Sequence, residues 1–214
     1  MGLGFLLFCF FTHIVLRKYT KNGTIKSFGK RKDVTMTTNR KPTYPIDSVF
    51  LDRWSPRSFL EKDVPEEVIN SLFEAARWAP SANNVQSWSY IVAKTPQEKE
   101  AFYSFIGEGN LLWCKKAPVL ALALSKKGVR THEFEAGMSF GYLLLEATNK
   151  GLITHPMGGF DVEKARKVLN ISEDYDIHVV TAIGYQGPKE ELPEKFQERE
   201  APSDRKPFDE LFYT

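Results

Sequence analysis

The sequence predicts a single domain of mixed helices and strands behind a short N-terminal appendage. Three observations carry that expectation. At 214 residues the chain is only modestly longer than one ordinary domain, since domains usually hold about 100–200 residues. Its residues are 42% hydrophobic, 26% charged and 13% aromatic, which supplies a packed core and excludes a disordered chain. Stretches with a helical rhythm alternate with short apolar runs, so neither element type alone accounts for the pattern.

The first helix is expected over Pro45–Trp54, where Ile46, Val49, Phe50 and Trp54 share one face and Asp47 lies in the first turn. A second begins at Asp63-Val64-Pro65-Glu66-Glu67, where proline and acids suit a helix start. It runs through Val68, Ile69, Leu72, Phe73 and Ala76 to Trp78, and Pro80 ends it. Trp88–Lys94 reads as a strand. Thr95-Pro96-Gln97-Glu98 has the form of a capping box with proline at the first helical position, opening a short helix through Phe105. Ala117–Leu124 is almost continuously apolar and is assigned to a central strand, although its periodicity is equally that of a buried helix.

From Thr131 to Lys150 the residues Phe134, Met138, Tyr142 and Leu145, with Ala136, Leu143 and Ala147 between them, make a helix apolar on nearly all sides. Such a helix belongs at the centre or at an interface, and Gly151 closes it. Gly151–His155 reads as a short strand, Asp161 caps a helix containing Val162, Ala165 and Val168, and Ile177–Tyr185 reads as a long strand. The tail from Gly187 is charged and punctuated by prolines. It is expected to stay off its own core and to dock its aromatic end, Phe208 to Tyr213, on a second subunit.

The net charge of +2 hides an asymmetry: residues 17–41 hold nine Lys/Arg against Asp33, leaving 20 basic and 26 acidic residues over 42–214. The positive excess sits on a stretch without hydrophobic periodicity, which argues against a nucleic-acid partner. Residues 1–16 are uncharged and apolar but fall short of the ~20 residues a spanning helix needs. They also lack the basic start and cleavage site of a secretion signal. A start at Met36, with 1–35 as upstream sequence, is the preferred expectation, and a weak anchor aided by the basic flank comes next. Two cysteines, Cys9 and Cys114, build neither a disulfide framework nor a zinc site, so a reducing, cytoplasmic location is expected.

Several chemistries are missing. His13, His132, His155 and His178 form no paired metal-ligand motif. Gly107-Glu108-Gly109-Asn110-Leu111-Leu112 lacks the third glycine of a dinucleotide fingerprint, and neither a Gly-Lys-Ser/Thr loop nor a Gly-x-Ser-x-Gly elbow occurs. Three clusters remain. Arg53-Trp54-Ser55-Pro56-Arg57 offers two guanidinium groups and a hydroxyl to a phosphate, though a solvated basic turn explains it equally. Pro80-Ser81-Ala82-Asn83-Asn84-Val85-Gln86-Ser87-Trp88 suits a flat polar heterocycle or an ordinary turn. Met157-Gly158-Gly159 either turns the chain before Asp161 or lets backbone N–H groups approach a ligand.

Together and in this order, the clusters resemble the FMN-dependent nitroreductase family. Its Arg-x-Ser-x-Arg start appears as Arg53, Ser55 and Arg57. Its Pro-Ser-x-x-Asn-x-Gln-x-Trp loop appears as Pro80, Ser81, Asn84, Gln86 and Trp88, its flavin-edge glycines as Gly158 and Gly159, and its late basic residue as Arg205. The match runs from about Pro45 to the C-terminus, so 1–41 is expected outside the fold and 42–214 within it. The resemblance implies an α+β fold with a mainly antiparallel central sheet flanked by helices, an intertwined homodimer, and two FMN sites at its interface.

The resemblance also implies roles. Arg53, Ser55 and Arg205 would hold the FMN phosphate, and Arg57 would approach the pyrimidine side, where positive charge favours reduced flavin. Pro80, Ser81, Ala82 and Asn84 would come from the partner subunit, supported by Gln86, while a backbone N–H near Gly158 would meet flavin N5. Trp54, Met157 and Gly159 complete the cofactor-binding set. Ser87 departs from the family's frequent proline, and Lys115 and Lys116 are left out of the site. The implied reaction is ping-pong hydride transfer from NAD(P)H to a nitroaromatic, quinone or similar acceptor. It needs no protein acid, base, nucleophile or metal. A flavin-storing module, or a reductive dehalogenase or flavin-degrading relative, is the alternative, and the segment Gly107–Arg130, expected to cover the substrate, holds no residue set that marks either.

Overall fold

Four strands, β1 (Trp88–Ala93), β2 (Val119–Lys126), β3 (Ile153–Met157) and β4 (Tyr175–Gly184), pair antiparallel in the order β1-β2-β4-β3. The computed structural model describes residues 40–213, so the expectations for residues 1–16 and for a start at Met36 lie outside the described residues. No helix among the described residues is long and apolar enough to cross a membrane. β2 is buried at every position but Lys126, which explains its continuous apolar run: both faces are covered. Leu120, Leu122 and Leu124 face one helical layer, and Val119 and Ala121 face the other. β3 lies at the sheet edge, the place in a sheet that tolerates Pro156.

The second layer is α2 (Glu66–Arg77) and α5 (His132–Asn149), packed through Leu72, Ala76, Leu143 and Ala147. The opposite face carries α3 (Pro96–Tyr103), α4 (Glu108–Cys114) and α6 (Val162–Val168), which bury Phe102, Trp113 and Ala165. Local capping sets the boundaries. Thr95 and Glu98 form the reciprocal capping box, and the Asp161 carboxylate accepts from Lys164 N–H at 2.9 Å. At the end of α5, Gly151 takes a φ of +74° while Leu152 N–H donates to Ala147 and Gly151 N–H to Thr148. That is the double bond pattern of a Schellman motif, and its left-handed residue favours glycine.

Three expectations need correction. The first helix, α1 (Ser48–Asp52), is shorter than Pro45–Trp54, because Asp47 caps it through Val49 N–H and Arg53 is already extended. The segment after Gly107 is not a cover: it forms α4, which buries Trp113 and Cys114 in the core. The tail does not stay off its own body. Leu192 is buried, Phe196 in α7 (Glu194–Gln197) packs against the core, and buried Glu200 accepts from the Arg57 and Ser58 N–H groups at 2.6 and 2.9 Å. Beyond Glu200 the arm is largely exposed, from Ser203 through Tyr213.

The 80–88 loop is fixed by a single carboxylate. Glu135 of α5 is 1% exposed and accepts from Ala82 N–H (3.0 Å), Ser87 Oγ (3.0 Å) and Thr131 Oγ1 (2.8 Å). Burial works against its charge, but the donors from Ala82, Thr131 and Ser87 outweigh burial and hold the carboxyl below the ordinary glutamate range. Replacing Glu135 by alanine strands three donors and is expected to cost about 2–3 kcal/mol. Glu135→Gln, which keeps an acceptor, is expected to cost less. Urea unfolding of both variants checks this, and an alanine loss below about 0.5 kcal/mol would contradict it.

Candidate functional site

The chain leaves α1 as Arg53-Trp54-Ser55-Pro56-Arg57 and passes under β3, where His155 Nδ1 donates to the Pro56 carbonyl at 3.0 Å. Arg53, Trp54, Ser55 and Arg57 are half-buried around buried Pro56. They border a cleft of about 490 Å³ lined by Arg53, Trp54, Ser55 and Arg57, by His155, by Arg199 and Arg205 of the C-terminal arm, and by Arg40. Five arginines therefore share one cavity. Glu200 is occupied by the backbone of Arg57 and Ser58 and lies 3.7 Å from the Arg57 guanidinium.

Arg53 is half-buried and has no acidic partner among the described residues. Burial, then the charges of Arg205 and Arg40, push its guanidinium below the ordinary arginine range. Such a group calls for an anion, because repulsion between neighbouring cations is relieved only by opposite charge. Arg57 differs: it is paired with Glu200 and its guanidinium carbon stands 5.7 Å from the Phe196 ring centroid. His155 packs on Trp113 in a tilted arrangement, with centroids 4.4 Å apart. Burial lowers its pKa to about 4, opposed by the bond to Pro56 and assisted by Arg57, so the ring is neutral at pH 7.

An adjoining cavity of about 430 Å³ shares Arg57, His155 and Arg199 with the first and adds Asn110, Lys195 and Phe196. Asn110 Nδ2 donates to the Gly159 carbonyl at 3.1 Å, and Gly107 N–H donates to the same carbonyl at 3.0 Å. A Cβ on Gly107 would stand 3.0 Å from that oxygen, so the close approach of α4 to the glycine turn favours glycine there. Gly158 and Gly159 are exposed and Met157 is buried. A larger groove of about 600 Å³, lined by Ile46, Phe50 and Phe208, lies beyond Arg40 and Arg205.

The structure thus brings Arg53, Trp54, Ser55, Arg57 and Arg205 together; Met157, Gly158 and Gly159 line neither cavity, and Gly159 is tied to the adjoining one through Asn110. Pro80, Ser81, Ala82, Asn84 and Gln86 do not line the arginine cleft of their own chain. Lys115 and Lys116 line a separate cavity, and Lys116 is paired with Glu191 at 2.6 Å. Five residues of the cleft lie outside the set expected from the sequence: Arg40, His155, Arg199, Ala201 and Ser203. Only Arg199 carried a usable signal, as a cation six residues before Arg205 on the same arm.

Arginines therefore crowd a cleft at the edge of an antiparallel α+β sheet. The nitroreductase family model matches residues 51–111 and 107–185, and the chain belongs to the nitroreductase family. A solved oxidoreductase containing FMN is 35% identical, with a TM-score of 0.80 over 83% of this chain and 95% of that one. A NADH dehydrogenase of Thermus thermophilus is 30% identical over 70% of this chain and 90% of its own length. An iodotyrosine deiodinase of Thermotoga neapolitana is 27% identical over 62% and 84%.

The neutral state of His155 makes stability depend on pH. Unfolded histidine takes a proton near 6.5 and the folded residue only near 4, so stability present above pH 6.5 is lost as pH falls towards 4. The loss is expected on the order of 2 kcal/mol. Urea unfolding at pH 7, 5.5 and 4.5 checks it: His155→Gln should flatten this dependence, and an unchanged profile would contradict the assignment.

Proposed function

We propose that the chain is an FMN-dependent oxidoreductase that uses NAD(P)H to reduce a nitroaromatic, quinone or similar small acceptor. The observation that carries this reading is Arg53, a half-buried cation without an acidic partner, set beside Arg205 and Arg40. A phosphate dianion accepts hydrogen bonds from both guanidinium groups and from Ser55, and cancels their repulsion. The chemistry supplied by bound FMN is hydride relay between NAD(P)H and the acceptor, in two half-reactions of ping-pong type.

The chain's own residues orient and polarise. Arg57, held by Glu200 and Phe196, would put fixed positive charge at the pyrimidine side. Gly158 and Gly159, without side chains, would leave a backbone N–H open to N5. Trp54 and Met157 would flank these contacts. His155, neutral at pH 7, adds no charge that varies through the neutral range. The family membership and the FMN-containing relative support this set of roles, and the deiodinase relative keeps reductive dehalogenation as the second reading.

Pro80, Ser81, Ala82, Asn84 and Gln86 would complete the site from a second copy in a homodimer. Exposed Phe134 and Tyr142 on α5, with Trp78 and Val85 near the loop, supply apolar surface for such an interface.

Arg53→Ala is expected to weaken FMN binding about 10- to 100-fold, the loss of one charge-assisted contact, and to purify largely colourless. A variant with full flavin stoichiometry would place the phosphate elsewhere. Anaerobic NADH or NADPH should bleach the flavin promptly, and a yellow protein that resists both is a binding module. Light scattering should give twice the 24.5 kDa chain mass, and a monomer with full activity would refute the shared site.

A further inference from the structure

The residue that brings the two phosphate-binding arginines together lies before the region matched by the family model. Arg40 Nε donates to the Ser203 carbonyl at 2.9 Å, and its Nη1 donates to the Leu51 and Arg53 carbonyls at 3.0 and 2.9 Å. One guanidinium therefore joins the last turn of α1 to the C-terminal arm across 163 positions of sequence. The second terminal nitrogen, Nη2, has no partner among the described residues, and Arg40 itself lines the arginine cleft. Around it the balance of charge is positive, with Arg53 and Arg205 as neighbours and Asp204 as the acid acting on it.

We propose that Arg40 is a third guanidinium of the phosphate cradle, which bolts Arg53 to Arg205 through backbone carbonyls and offers its remaining nitrogen to the same anion. The proposal rests on the flavin reading above and adds to it. A lysine cannot replace this residue, because a single ammonium has neither the planar fork nor the donors to bridge three carbonyls and still face a ligand. Arginine here orders two segments that have no regular hydrogen-bonded structure in common. A phosphate bound between them would exploit geometry fixed before binding, which lowers the ordering cost of association.

Comparing FMN with riboflavin isolates this role, since the two differ only in the phosphate. Titration of flavin-free protein, followed by quenching of flavin fluorescence, should show FMN binding weakened at least tenfold in Arg40→Met and riboflavin binding changed less than about twofold. Arg40→Lys should recover less than half of that loss on a logarithmic scale. An unchanged FMN-to-riboflavin ratio in Arg40→Met, or full recovery by lysine, overturns the proposal. A second readout needs no flavin: limited proteolysis should cut the arm after Ser203 faster in Arg40→Met than in wild type, and equal rates overturn the bolt. Wild-type protein that binds neither flavin would instead sink the functional reading, while the proteolysis would still test the bolt.

Discussion

Like charges held close together are the constraint on which the rest of the cleft depends. Arg53, Arg205 and Arg40 repel one another, and the partly buried positions of Arg53 and Arg40 weaken the screening that water would provide. Left to itself, such a cluster would splay. The chain prevents this with bonds that spend no counter-charge on Arg53: carbonyls of Leu51, Arg53 and Ser203 accept from Arg40, and the Pro56 carbonyl accepts from His155. Glu200 is the exception, and it is committed to the Arg57–Ser58 backbone and the Arg57 guanidinium. The result is a positive cavity whose walls are held by neutral acceptors, so its charge remains available to a ligand.

The sheet explains why this cavity forms where it does. β2 and β4 occupy the centre, and β2 with the second half of β4 is buried, which leaves no room for a polar cleft there. β3 is an edge strand. Its Thr154 and Pro156 turn towards the α5 side and its Ile153, His155 and Met157 towards the α4 side, following strand alternation. His155 thereby reaches the extended Arg53–Arg57 segment, and the strand runs out into Gly158-Gly159 against the start of α4. The C-terminal arm then crosses the same edge, anchored by Leu192 and Glu200, and delivers Arg199 and Arg205.

What the sequence made legible was local. The capping box at Thr95, the Asp161 cap and the glycine after α5 each depend on residues within a few positions of one another. The run in β2 was legible for the same reason. α4 was not, because its seven residues open with glutamate, glycine and asparagine, and its four apolar residues, Leu111 to Cys114, follow in one run without a helical period. The arm was misread because one carboxylate and two apolar side chains hold it, with no period to detect. Arg53, Ser55, Arg57 and Arg205 enter the proposed site through a family pattern, and the structure places them on one cleft. Arg40 escaped because its partners are carbonyls, which every residue has, and no side-chain pattern marks them.

The 80–88 loop carries the remaining step. Asn83, Asn84 and Gln86 have φ values of +52°, +59° and +55°, so three of four consecutive residues occupy the left-handed region without being glycine. Asparagine tolerates this region and glutamine less so, and each departure costs on the order of 1 kcal/mol. Glu135, Ser81 and the Asn84 carbonyl over-determine the shape through bonds to Ala82, Gln86 and Ser87. Folding alone has little use for a strained, exposed loop held this firmly, since a relaxed turn would connect α2 to β1 at lower cost. The strain presents Ser81, Ala82 and Asn84 in a fixed array, yet their own chain's arginine cleft is lined without them. A rigid array of small polar groups that does not line its own chain's cleft is what the proposed second copy would use to complete its site.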